Sequence, residues 1–312
     1  MKKFKTLLGF NACLTMFVIV WGAFVRATGS GAGCGSHWPL CNGEVIPVDP
    51  SLERIIEFTH RTTSGLLLIT VLIMYFMSRS LFKTFRPDIN TTTGQVTVFL
   101  ILEALIGAIL VIFGLVEYND TVARAFMMGI HLINTFMLIG CLAHLCYQVF
   151  GANKRTIADI RWDTWPTLLG VGLIFMGATG SMVALGDTLF PAESLAEGLA
   201  QDLNPNSHWL IKLRVIHPIM AVIVVLSGIY GLTKTGFKDK TGGWALALTS
   251  ILLLQFCVGM SNWLLLAPTW IQLIHLWLAE VMFGIYVIWL AVRSQYTFGV
   301  FTPRGPDLRR RA

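Results

Sequence analysis

Four histidines, His60, His131, His217 and His275, stand inside long apolar runs, each roughly five to nine residues past one end of its run. At about 1.5 Å per helical residue this places them about 8–14 Å below the same face of a bilayer. A polar side chain at that depth is costly and defaults to a functional role. One such histidine has an ordinary explanation, a hydrogen bond to a neighbouring helix, but four at a common depth call for more. Zinc would need additional ligands at each site, or Cys and carboxylate partners. Two imidazoles from facing helices of a four-helix bundle suit axial ligation of a haem iron. Small Gly, Ala and Ser residues beside the histidines leave room for a macrocycle. The residues alone therefore predict two haem sites, each held by two histidines.

The surroundings of the two pairs differ. Glu57 precedes His60 by one helical turn, and so shares its face, and Arg61 follows it. The matching positions of the second half are Arg214 and Pro218. A carboxylate beside one haem can accept or relay a proton, whereas Arg214 suits the balancing of haem propionates. Glu57 also has a plainer reading, as an acid favoured by the dipole at a helix start. Glu103, in the middle of the third run, is a further costly charge to which the sequence assigns no role. Between the first two runs lies a glycine-rich loop, Gly29 to Gly43, that carries Cys34 and Cys41. It lacks the Gly-Lys-Ser/Thr ending and the preceding strand of a phosphate cradle. On an oxidising face these cysteines can form a persistent disulfide, either a structural staple or a redox pair. Cys13, Cys141, Cys146 and Cys257 lie in apolar runs and read as small packing residues.

The elements that must position these groups follow from composition. Of 312 residues, 55% are hydrophobic and 13% charged, against about 25% charged in a soluble domain, and mean hydropathy is +0.68. A water-soluble enzyme, a disordered chain and a secreted disulfide scaffold are excluded. Apolar runs fall near 6–27, 54–78, 94–116, 124–149, 164–185, 209–232, 243–266 and 270–292, each long enough to cross a bilayer. The expected fold is an all-α polytopic membrane protein of eight transmembrane helices, arranged as two four-helix bundles related by a pseudo-twofold axis. Of the 23 Lys and Arg residues, 17 lie in alternate connections and the two ends, including Lys2, Lys83, Arg155, Lys238 and Arg310. The positive-inside rule then places both termini in the cytoplasm. It also accounts for the net charge of +6 without invoking nucleic acid. The basic start resembles a signal peptide but runs on without a small-residue cleavage site, and nothing there resembles a mitochondrial transit peptide. A bacterial inner membrane is expected.

The halves echo each other, as parallel duplications do. Gly22-Ala23 with Ala27-Thr28-Gly29-Ser30 returns as Gly177-Ala178-Thr179-Gly180-Ser181, 155 residues on when counted from Gly22 to Gly177. Leu102-Glu103 to Gly107 returns as Leu254-Gln255 to Gly259 at 152, Ile130-His131-Leu132 as Ile274-His275-Leu276 at 144, and His60 as His217 at 157. Residues 1–155, with an outer loop over 28–53, would form one bundle, and 156–312, with a basic tail, the other.

These residues carry a family resemblance. Gly22-Ala23-Phe24-Val25-Arg26-Ala27-Thr28-Gly29-Ser30-Gly31, Cys34, Trp38-Pro39-Leu40-Cys41 and Gly43 look like the first-loop signature of haem A synthases, and Glu57-Phe58-Thr59-His60-Arg61 resembles their Glu-x-x-His-Arg motif. The resemblance covers essentially the whole chain. It implies oxidation of the C8 methyl group of haem O to the formyl group of haem A. His60 and His131 would hold the substrate haem, His217 and His275 a haem B that passes electrons, Glu57 would be the catalytic carboxylate, and Cys34–Cys41 a disulfide. Some relatives carry a second cysteine pair between spans 5 and 6, which this chain lacks between Asp187 and His208. Pro218 also departs from the His-Arg pairing of some relatives. Implied partners are haem O, membrane lipid, an electron acceptor, a haem O synthase and a second copy of the chain. Two rivals stand beside this reading: a di-haem electron carrier, and a disulfide- or quinone-linked oxidoreductase using Cys34 and Cys41. Prenyl transfer is disfavoured because it needs aspartate clusters to hold magnesium and diphosphate, and the sequence shows none.

Overall fold

The computed structural model describes residues 1–48, 50–151, 163–235 and 241–297. Nine α-helices occur among these: α1 (Lys2–Ala27), α2 (Leu52–Phe82), α3 (Pro87–Ile112), α4 (Val122–Phe150), α5 (Thr164–Leu189), α6 (Leu195–Leu203), α7 (Trp209–Thr235), α8 (Gly242–Leu264) and α9 (Thr269–Thr297). All but the short α6 are long and apolar enough to cross a membrane. The protein is an all-α, multi-pass membrane protein. The boundary expected at 155/156, the basic residues Lys154, Arg155, Arg161, Lys238 and Lys240, and the basic tail with Arg304, Arg309, Arg310 and Arg311 lie outside the described residues.

One helix boundary and one additional helix differ instructively from the apolar runs. α3 begins at Pro87 rather than at 94. Proline suits a first helical position, where its missing N–H is not needed. The polar stretch that hid this start is internally satisfied: Thr92 and Thr93 are buried and donate to the carbonyls of Asp88 and Ile89 at 3.1 and 2.7 Å. α6 was not expected at all. Ser194 caps it by accepting from the Glu197 N–H, and it lies in the connection that the sequence marks only as acidic.

Contacts run α1–α2–α3–α4 in the first half and α5–α7–α8–α9 in the second, while α4 and α1 pack against α5 and α9 to join them. Each half has its own apolar core. Phe4, Leu8, Leu67, Met74, Phe82, Ile89 and Leu145 form the first. Leu169, Leu173, Leu248, Leu252, Phe283, Tyr286 and Trp289 form much of the second. The Phe136 and Phe283 rings stack across the junction with centroids 4.9 Å apart, and Gly177 of α5 gives Phe136 its space. These cores occupy the part of the bundle where α2, α4, α7 and α9 finish. The opposite end, where those four helices begin, is left for the site. Of the free cysteines, Cys141 is buried and Cys146 packs beside it in the first core, whereas Cys13 and Cys257 are exposed rather than packing residues.

Candidate functional site: a cavity shared by two histidine pairs

A cavity of about 660 Å³ runs across both halves and is lined by His60, His131, His217 and His275. Each histidine falls within the first ten residues of its helix, so four helices starting at one end bring all four to one cavity. Three of them sit against a glycine of the adjacent helix. An added Cβ would lie 2.9 Å from His60 Cε1 at Gly22, 3.1 Å from His217 Cε1 at Gly180, and 2.8 Å from His275 Cε1 at Gly259. This contact register pairs Gly22 with Gly180 and corrects the sequence echo, which set Gly22 against Gly177. Gly107, which the sequence echo sets against Gly259, has nothing within 4 Å of its Cβ position, and His131 Nδ1 lies 3.1 Å from Glu103. On the haem reading of the site, Gly259→Ala is expected to displace the His275 ring and to lower the haem-to-protein ratio of the purified protein several-fold. An unchanged ratio would remove the glycine from the design of the site.

Glu57 is buried and fully engaged. Its Oε2 accepts from the Cys34 backbone N–H at 2.7 Å, and Oε1 accepts from Arg61 Nη2 at 2.6 Å. Arg61 also donates from Nη1 to the carbonyls of His37 and Leu40 at 2.6 and 2.5 Å. Cys34 and Cys41 are disulfide-bonded. Thus the loop, the disulfide and the Glu57–Arg61 pair form one assembly beside the cavity, which Trp38, Pro39, Glu57 and Arg61 line. The fit depends on Gly33, where an added Cβ would come within 2.6–2.7 Å of the Glu53 and Arg54 backbone. Gly33→Ala should lift the loop off α2 and weaken the Cys34–Glu57 contact; hydrogen exchange at the Cys34 amide would rise, and unchanged protection would contradict this.

The second half solves the same position differently. Arg214 Nε lies 2.7 Å from Asp187 Oδ1, Nη1 is 3.8 Å from Asp202 Oδ1, and Nη2 donates to the Gly186 and Phe190 carbonyls at 3.1 and 2.6 Å. Nη1 also donates to Gln201 Oε1 at 3.2 Å, and Arg214 lines the cavity. Burial raises the Asp202 carboxyl above its ordinary range, with Arg214 working in the other direction. Pro218, next to His217, removes one hydrogen bond from α7. Arg26, part of the first-loop signature but assigned no role from sequence, reaches across the halves. It donates to the Ala184 carbonyl and Thr188 Oγ1, each at 2.7 Å, and to Gln272 Oε1 at 2.7 Å.

Sequence reasoning also missed the partners of Glu103. Its Oε1 lies 3.1 Å from His131 Nδ1 and accepts from Thr135 Oγ1 at 2.5 Å, while Oε2 accepts from Asn134 Nδ2 at 2.5 Å. Asn134 and Thr135 stand three and four residues after His131, the spacing that shares a helix face, so the signal was present.

Haem fits this donor set. Each half offers two imidazoles to one cavity, and the Nδ1 atoms of His60 and His275 are buried without a hydrogen-bond partner. Among the described residues, no three His, Cys, Asp or Glu side chains come together as a protein-only metal site would need. Fold and site thus define a multi-pass membrane protein with two histidine pairs opening on one internal cavity. The chain belongs to the COX15-CtaA family, described as cytochrome oxidase assembly protein, which it matches over residues 5–287. With the eight spans, membership implies a bacterial inner-membrane protein. It is 28% identical over 305 residues to a protein named Heme A synthase from Exiguobacterium sp., covering 94% of this chain and 95% of that protein. A Heme A synthase from Lysinibacillus sphaericus is 29% identical over 297 residues, covering 90% and 92%. A Thermus thermophilus protein named Protoheme IX farnesyltransferase is 40% identical over 280 residues, 88% of this chain but only 45% of that protein. The chain therefore spans less than half the length of the Thermus relative.

Proposed function

We propose that the protein is a haem A synthase, which converts the C8 methyl of haem O to a formyl group for use in terminal oxidases. The observation that carries the proposal is the single cavity lined by both histidine pairs, with Glu57 beside the first and no carboxylate in the matching place beside the second. The near end-to-end similarity to proteins named Heme A synthase supports it. Haem O is the substrate, held by His60 and His131. Its methyl carbon is hydroxylated twice; in each step a C–H bond gives way to a C–O bond to a water-derived oxygen, two protons are released and two electrons leave toward the acceptor, and the resulting diol loses water to give the aldehyde. Glu57 takes up protons released near that carbon, and the loop locked by Cys34–Cys41 keeps bulk water from it. His217 and His275 hold haem B, which when bound supplies an electron relay toward an acceptor.

The two halves are read as duplicated bundles, with both termini cytoplasmic and the cavity at the outer face. Association with a haem O synthase is favoured because the Thermus relative, named for farnesyl transfer, is more than twice as long as its matched segment. A second copy of the chain is a further expected partner. Purified from cells that make haem O, the protein should show low-spin haem spectra that change on replacing a histidine of either pair. A protein without haem would return the thiol-based reading to first place.

A further inference from the structure

The two halves present different groups to their α4 and α9 histidines. In the first, Glu103 of α3 stands 3.1 Å from His131 Nδ1 and is itself held by Asn134 and Thr135 at 2.5 Å each. In the second, the repeat puts Gln255 at the position of Glu103. Its amide nitrogen lies 3.4 Å from His275 Nε2 and donates to the His275 carbonyl at 3.1 Å. His275 Nδ1 is left buried with no partner. The residues 144 positions after Asn134 and Thr135 are Leu278 and Ala279, so the polar bracket around the carboxylate is missing as well. Two further groups near these helices do not substitute for Glu103: Thr179 Oγ1 is 3.1 Å from His217 Nδ1, and the buried Glu280 has no hydrogen-bond partner for either oxygen.

We infer that Glu103 is a positioning residue that makes His131 a stronger donor than His275 and so sets the two haem irons at different reduction potentials. The inference rests on the proposed ligand role of His131. A carboxylate at the distal nitrogen of an iron-bound imidazole fixes the ring and raises its basicity, and such outer partners tune the metal as the ligands do. In the present geometry the ring N–H is not aimed along the line to Oε1, since His131 Nδ1 makes no aligned hydrogen bond. Contacts of this kind commonly tighten only when the ligand is seated. Thr135 and Asn134 keep the carboxylate in place meanwhile. The chemical sense is direct: a more electron-rich iron in the first half favours its oxidised state, as oxidation of the substrate held there requires. The second half, where no group reaches His275 Nδ1, is set to take electrons and pass them on.

The test is a redox titration, followed by absorbance, of the full-length protein purified from cells making haem O. The first-half haem is identified as the one lost in His60→Ala. Glu103→Gln should raise the potential of that haem, leave the second unchanged, and loosen haem retention in the first half by roughly 10–100-fold, as for other outer-partner replacements. Glu103→Asp should restore part of the wild-type potential. An unshifted first-half potential with haem still bound would overturn the inference. Should Glu103→Gln hold no haem there, Glu103→Asp carries the test: its first-half potential must lie above that of the wild type, and no shift would again overturn the inference. Separately, His131→Ala that keeps both haem spectra intact would show that His131 is not a ligand. That result removes the reading beneath the inference, and it is distinct from a silent Glu103 beside a confirmed ligand.

Discussion

Glu57→Gln is expected to stop formyl formation while leaving both haems bound. Glutamine keeps the shape of the side chain and one acceptor oxygen, so the Cys34 N–H retains a partner and the disulfide still closes the loop. It loses the negative charge opposite Arg61 and the capacity to take up a proton. General acid–base groups contribute about 10²–10⁴-fold to rate, and a fall of that order in haem A produced per protein is the expected result. The carboxylate is also the point where loop, Arg61 and α2 meet, so the haem content of the variant must be measured alongside its product. Normal haem content with a normal rate of haem A formation would remove Glu57 from the mechanism. Lost haem would instead assign it to holding the loop.

His217→Ala is expected to empty the second half selectively. The histidine lies over Gly180 and has Thr179 Oγ1 3.1 Å from its Nδ1. Haem extracted from the purified variant should show haem B nearly absent and haem O retained. With its electron exit gone, the variant should make little haem A despite a filled first half. His60→Ala should give the complementary pattern. Loss of haem O alone from His217→Ala would invert the assignment of the two halves.

Much of this was legible in the sequence, for physical reasons. A bilayer demands runs of about 20 apolar residues, and all eight were visible. A histidine inside such a run has few inexpensive explanations, so the four cavity histidines stood out as well. The sequence was less informative where polar residues satisfy themselves along a helix, as Thr92 and Thr93 do at the start of α3, and where a short amphipathic helix such as α6 lies outside the apolar runs. The sequence echo set Gly22 of α1 against Gly177 of α5, whereas Gly177 makes space for Phe136 and it is Gly180 that meets a histidine. Partners that come from another helix were harder to read. Arg214 was expected to suit a propionate, and the carboxylate of Asp187 on α5 that lies 2.7 Å from it could not be foreseen. Glu103 had no visible role because its meaning depends on which face of α4 turns toward α3.

The most direct test of the central claim is chromatography of haems extracted from cells that make haem O, with and without this protein. The account predicts a new haem A peak that appears with the wild-type chain and disappears with Glu57→Gln. Bound haem B with no haem A, in cells shown to contain haem O and folded protein, would contradict it and leave a di-haem electron carrier in its place.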